Sequence, residues 1–87
     1  MHTKYLVEFL GTLLLSYTIF ATKNWLLIGL ALAVAVFLGG KVSGGAFNPA
    51  VAFSFFYAGQ LSSTDLIYYV IAEVLGALAG FEIFKRL

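Results

Sequence analysis

The 87 residues contain no cysteine and only one proline, one histidine and one tryptophan. Without cysteine there is neither a disulfide framework nor a thiolate metal site, and nothing about the redox compartment can be read. The single histidine, His2, lies in the N-terminal tail with no second histidine to complete a ligand set, so it reads as a tail residue. No metal and no cofactor is expected. Charge is scarce as well: Asp, Glu, Lys and Arg make up 10% of the chain and the net charge is +1. The absence of a basic block argues against a nucleic-acid partner. No nucleophile stands with a base and no phosphate loop occurs, which excludes the usual enzyme constellations.

What the chain has in abundance is apolar surface: 62% of its residues are hydrophobic and its mean hydropathy is +1.01. A soluble domain of this size cannot hide that much, because most of its residues lie near the surface. The natural solvent is lipid, and the expected class is an all-α, multi-pass integral membrane protein forming one domain over residues 1–87. Residues 5–21, 25–40 and 66–84 are runs near the ~20 residues that a spanning helix needs. The first run could pass for a signal peptide. It continues to Ala21 without an Ala-x-Ala type site, however, and two more runs follow, so it reads as a retained helix. Thr22-Lys23-Asn24, then Lys41 with Ser43, then Gln60 to Asp65 mark the breaks, and Ser62-Ser63-Thr64-Asp65 offers N-caps for the last helix. Tyr5, Trp25, Tyr57, Tyr68 and Tyr69 fall near span ends, as in an aromatic belt. Gly76 and Gly80 make a GxxxG pair, and Gly29, Ala31, Ala33 and Ala35 thin the second helix. Such residues suit close helix neighbours, though apolar helices are often rich in them anyway.

Between the second and third runs lies the stretch SGGAFNPAVAFSFFYAGQ, residues 43–60. Asn48 is a strong N-cap, Pro49 suits the first helical position, and Gly59 suits the residue just past a helix end. The helix so bounded, 49–58, is about 15 Å long, about half the hydrocarbon thickness. A re-entrant half-helix places non-helical backbone at depth. That is tolerated where it is packed in protein or lines a watery cavity. Val42 to Phe47 would be that non-helical stretch, within a re-entrant unit over 42–59, and Ser43, Gly44, Gly45, Ala46 and Phe47 would line the pore with their carbonyls available to it. The half-helix N-terminus would point free N–H groups and its positive dipole end at the membrane centre. That field opposes cations and admits neutral hydrogen-bonding solutes, to which Asn48 can offer its amide. The plainer alternative is a surface amphipathic turn, against which Phe53, Phe55 and Phe56 leave few polar side chains for water.

SGGAFNPAV resembles the Asn-Pro-Ala loop of the aquaporin and glycerol-facilitator (major intrinsic protein) family, with Asn48, Pro49 and Ala50 in the motif positions. EFLGTLLL at 8–15 is similar to that family's first helix, and AEVLGALAG at 72–80 to its third. The family carries two such halves per chain, inverted relative to each other, with the half-helices meeting at the midplane. This chain supplies one half, and inverted repeats are a general device in membrane transport. The resemblance therefore implies a passive channel for water, and for glycerol or other small neutral solutes, completed by an antiparallel second copy. Four pores would then need eight chains. Lys4 and Lys41 fall on one side, and Lys23, Lys85 and Arg86 on the other, a weak bias compatible with dual topology. The filter positions implied are Ile28, Val36, Gly45 and Val51; Val51 stands where the family's second half usually has Arg.

Glu8 and Glu73 lie within the spans, in EFLG and EVLG, so each shares a face with a glycine expected to serve close helix packing, Gly11 or Gly76. Intramembrane carboxyls usually face a protein interior or cavity. The resemblance implies that Glu8 holds the re-entrant loop, whereas at position 73 the family more often has Gln. Both read as loop supports. A proton relay, interfacial snorkelling of Glu8 and protonated burial of Glu73 are the alternatives, and Glu82 reads as solvated. Two other functions stay open: a small dual-topology proton-coupled transporter using Glu8 or Glu73, and a non-conducting partner or fragment of a longer channel.

Overall fold

The computed structural model describes residues 2–87 as four helices, with no strand among them. Helix α1 is Thr3–Thr22, α2 is Trp25–Ser43, α3 is Pro49–Tyr57 and α4 is Ser63–Arg86. Three of them, α1, α2 and α4, are long and apolar enough to cross a membrane. The fold is the all-α membrane arrangement anticipated from composition, with one short helix among three long ones.

Local chemistry sets the helix ends. Helix α1 stops at Lys23, which turns left-handed (φ 50°) and returns its N–H to Ile19. Asn24 then caps α2 at once, its side chain accepting from the Leu26 and Leu27 N–H groups at 3.0 Å each. A two-residue link makes α1 and α2 an antiparallel hairpin. Helix α2 runs on to Ser43, past the expected stop at Gly40, and ends at Gly44 with φ 90°. Helix α3 ends in a Schellman motif: Gly59 (φ 81°) donates to Phe56 and Gln60 donates to Phe55. Ser62 caps α4 by accepting from the Asp65 N–H at 3.0 Å.

Helix α1 is the centre of the bundle. On one side Ala31, Ala35 and Gly39 of α2 are buried, and Gly39 faces Val7. On the other side α4 runs parallel to α1. Tyr5 packs edge-on against Tyr69, while Phe20 packs against Phe81 and Phe84 at the far end. The GxxxG pair makes this approach possible. A Cβ on Gly76 would collide with the Phe9 carbonyl, and one on Gly80 would sit 2.5 Å from the Leu13 carbonyl. The Ser16 hydroxyl donates across the seam to the Ala77 carbonyl at 2.7 Å. At the N-terminal end Lys4 pairs with Asp65 at 2.7 Å, and Tyr5 donates its hydroxyl to the same carboxylate. Helix α3 rests on α4, where Ala46, Ala52, Leu66 and Tyr69 form a small core. Gly29, by contrast, has open space around it.

Candidate functional site

The site is the turn between α2 and α3, and Glu8 organises it. The Glu8 carboxylate is fully buried. One oxygen accepts from the Ser43 hydroxyl at 2.7 Å and the Ala46 N–H at 3.2 Å; the other accepts from the Phe47 N–H at 2.8 Å. Three donors on one carboxylate are the pattern of a charge-assisted anchor. The Ser43 hydroxyl also receives the Gly45 N–H at 3.2 Å. The Ser43 carbonyl accepts the Tyr69 hydroxyl at 2.7 Å. Helices α1 and α4 thus grip the turn from both sides. Its N–H groups are taken inward, while the carbonyls of Gly44, Gly45 and Ala46 accept no hydrogen bond among the described residues.

The backbone reaches this shape through positive φ at three of four consecutive positions: Gly44 (90°), Gly45 (74°) and Phe47 (50°). The first two are glycines, for which this region is free of steric cost. Phe47 is not, and its left-handed turn is held by packing. Its ring is buried between α1 and α2, in a seat that exists because positions 11 and 39 are glycine. A Cβ on Gly11 would overlap the ring outright. Gly11, expected to serve helix–helix packing, makes room for a loop residue instead. Likewise the Ser43, Ala46 and Phe47 side chains point into the protein, so this loop can present only backbone and glycine to an open face.

Asn48 follows in an extended conformation (φ −161°) and caps α3, its Oδ1 accepting from the Ala50 N–H at 2.8 Å. That leaves the side-chain NH2 as a donor. Asn48, Ala50 and Val51 are exposed, whereas Ala52, one step further, is fully buried. Because the turn lies against Gly11, close to the middle of α1, the N-terminus of α3 opens level with the middle of that helix. From there α3 leads back toward the end marked by Lys4 and Asp65.

Val36 and Gly45 come together: the Val36 Cγ2 lies 3.4 Å from where a Gly45 Cβ would stand. Ile28 does not join them. It sits about 12 Å further along α2, at 1.5 Å per residue, half-buried toward the Asn24 end. Glu73 is fully buried, level with Glu8 across the α1–α4 seam. Tyr69, read from sequence as a belt aromatic, is instead buried in the site. Its position one turn before Glu73 on the same helix face was the available signal. No group of three or more potential metal ligands occurs among the described residues.

Comparison with known proteins agrees with this geometry. The family described as major intrinsic protein matches residues 23–87. The chain is 38% identical to glycerol uptake facilitator protein-like 6 of Lactiplantibacillus plantarum, covering 88% of this chain and 40% of that protein. It is 43% identical to the lens fiber major intrinsic protein of Gallus gallus, over 86% of this chain and 33% of that one. It is 34% identical to a probable glycerol uptake facilitator protein of Thermotoga maritima, over 87% and 40% respectively. The chain therefore spans between a third and two fifths of these relatives' length. Three helices long and apolar enough to span, a capped short helix opening level with the middle of α1, and these likenesses together make this chain an integral membrane protein that belongs to the major intrinsic protein family.

Proposed function

We propose that the chain is one half of a passive channel for water and small neutral solutes such as glycerol, and that an inverted second copy completes the pore. The observation that carries this reading is the Asn48 end of α3. It is an exposed helix N-terminus, read as lying at mid-depth, with a free amide donor, beside carbonyls that accept nothing among the described residues. Such an end repels cations through its dipole and offers hydrogen bonds to neutral solutes. Relatives named as glycerol uptake facilitators support glycerol as a second solute.

The inverted copy is supported by what one chain leaves open. Asn48, Ala50, Val51 and Val36 lie on an uncovered face. Ile28 lies on the other side of the α2 midpoint from Val36, so inversion carries a partner's Ile28 toward Val36, Gly45 and Val51 at one constriction. That constriction lacks an arginine and is apolar, which favours permissive passage of neutral solutes over strict selection. The Lys and Arg residues divide two against three between the two membrane sides. So weak a bias suits insertion in both orientations. The chemistry asked of the protein is passage, not catalysis.

Light-scattering shrinkage of proteoliposomes containing this chain alone, after an osmotic step, tests the reading. The expected result is fast water flux of low activation energy that Asn48→Asp loses. Flux equal to that of empty liposomes, with folded protein verified, overturns it and leaves the chain as a part that needs a different second half.

A further inference from the structure

The seam between α1 and α4 holds a polar cluster that conduction does not use. Glu8 and Glu73 are both fully buried within the single chain. The parallel register brings them level, since Tyr5 meets Tyr69 and the Phe9 backbone meets Gly76. Glu8 accepts from three donors, which leaves one of the roughly four acceptor positions of a carboxylate open. Glu73 has none: neither carboxyl oxygen finds a hydrogen-bond partner. The Thr12 hydroxyl, one turn along α1 from Glu8, is the only other buried side-chain polar atom left unpaired among the described residues.

The groups facing Glu73 are the Glu8 carboxyl from α1 and the Asn48 backbone from the turn. Tyr69, one turn away on α4, has committed its hydroxyl to Ser43. Among the described residues no cation reaches the pair. Lys4 is held by Asp65 at one end of the bundle, Lys85 and Arg86 by Glu82 at the other, and Lys23 and Lys41 are exposed. Two carboxylates packed together out of water, with no counter-charge, would cost several kcal/mol per uncompensated ion. Like-charged carboxyls sharing a site resolve this by retaining a proton.

We propose that Glu8 and Glu73 share one proton: Glu73 is the neutral acid, its O–H donates to the Glu8 carboxylate, and this bond helps to hold the Asn48 turn. Glu8 is the anion of the pair because three donors already converge on it. The Glu73 carbonyl oxygen is then left to accept from the Asn48 N–H, so that both Glu73 oxygens are paired. Glu73 is thus a positioning residue acting through Glu8. The inference concerns the resting fold and holds whether or not the chain conducts alone.

The test is infrared spectroscopy of the full chain at neutral pH in a detergent without carbonyl groups, on wild type, Glu73→Gln and Glu8→Gln. Wild type is expected to show a protonated-carboxyl C=O band that shifts in D2O and on 13C-glutamate labelling, and Glu73→Gln is expected to lack it. Glu73→Gln should fold, since the neutral amide keeps the shape of the acid. The proposal is overturned by a wild-type spectrum without a glutamic-acid band, which needs no variant to fold. It is equally overturned by a band that survives Glu73→Gln and disappears in Glu8→Gln.

Discussion

The Phe47 ring occupies the space that a side chain on Gly11 would fill. This one relationship ties the turn before Asn48 to the middle of α1, because the ring cannot leave its seat without moving the backbone that ends at the cap of α3.

Gly11→Ala should therefore displace the ring and destabilise the chain by about 1–3 kcal/mol, the ordinary cost of overpacking. Gly29→Ala is the matched control. Its Cβ meets nothing within 4 Å, and the better helix propensity of alanine should stabilise it by up to about 1 kcal/mol. Denaturation by SDS, followed by circular dichroism, reads both.

Removing the anchor's charge should loosen the turn selectively. In Glu8→Gln one carboxylate oxygen becomes an NH2 group, which cannot accept from Ser43, Ala46 or Phe47. Hydrogen bonds to a charged group contribute about 1.5–3 kcal/mol each. Amide exchange at positions 46 and 47 should accelerate, while exchange in the α1–α2 hairpin near Lys23 stays as in wild type.

Tyr69→Phe deletes the hydroxyl that the Ser43 carbonyl receives at 2.7 Å and keeps the ring. The expected loss is about 0.5–1.5 kcal/mol, that of a single neutral hydrogen bond. Stability equal to wild type would mean that the carbonyl finds another donor.

The inverted pairing predicts a cross-link. The chain has no cysteine, so Ala50→Cys introduces a single thiol on the exposed face beside Asn48. Oxidation in membranes should give a covalent dimer, since disulfides form when Cα atoms come within about 7 Å. Ala52→Cys, buried against α4, should remain monomeric. Equal yields from the two variants would count against α3 meeting its copy end to end.

Much of the local structure was legible from residue types alone. Asn48 before Pro49, Gly59 after the short apolar run and Ser62 before α4 all stand where capping chemistry puts them. These are rules about neighbours along the chain, where the backbone's unpaired groups dictate which side chains suit. The site was less legible. Glu8 was recognisable as a loop support only through resemblance, since its donors lie 35 to 39 residues away. Tyr69, which its place near a span end marks as a belt aromatic, turns into the protein to a carbonyl, and the seat of the Phe47 ring depends on a glycine of α1 36 positions earlier. Ile28 and Val36 share a helix but not a level.

By itself the sequence determined the solvent, the helix count, the half-length of α3 and the polarity of its exposed end, because hydropathy and capping act over one or two helical turns. Only the tertiary structure decided which faces meet. The approach of α1 and α4 is set by Gly76 and Gly80 against backbone carbonyls. That approach levels Glu8 with Glu73 and brings Tyr69 within reach of Ser43. Contact between residues remote in sequence depends on the register and distance of packed helices, quantities that no local pattern encodes.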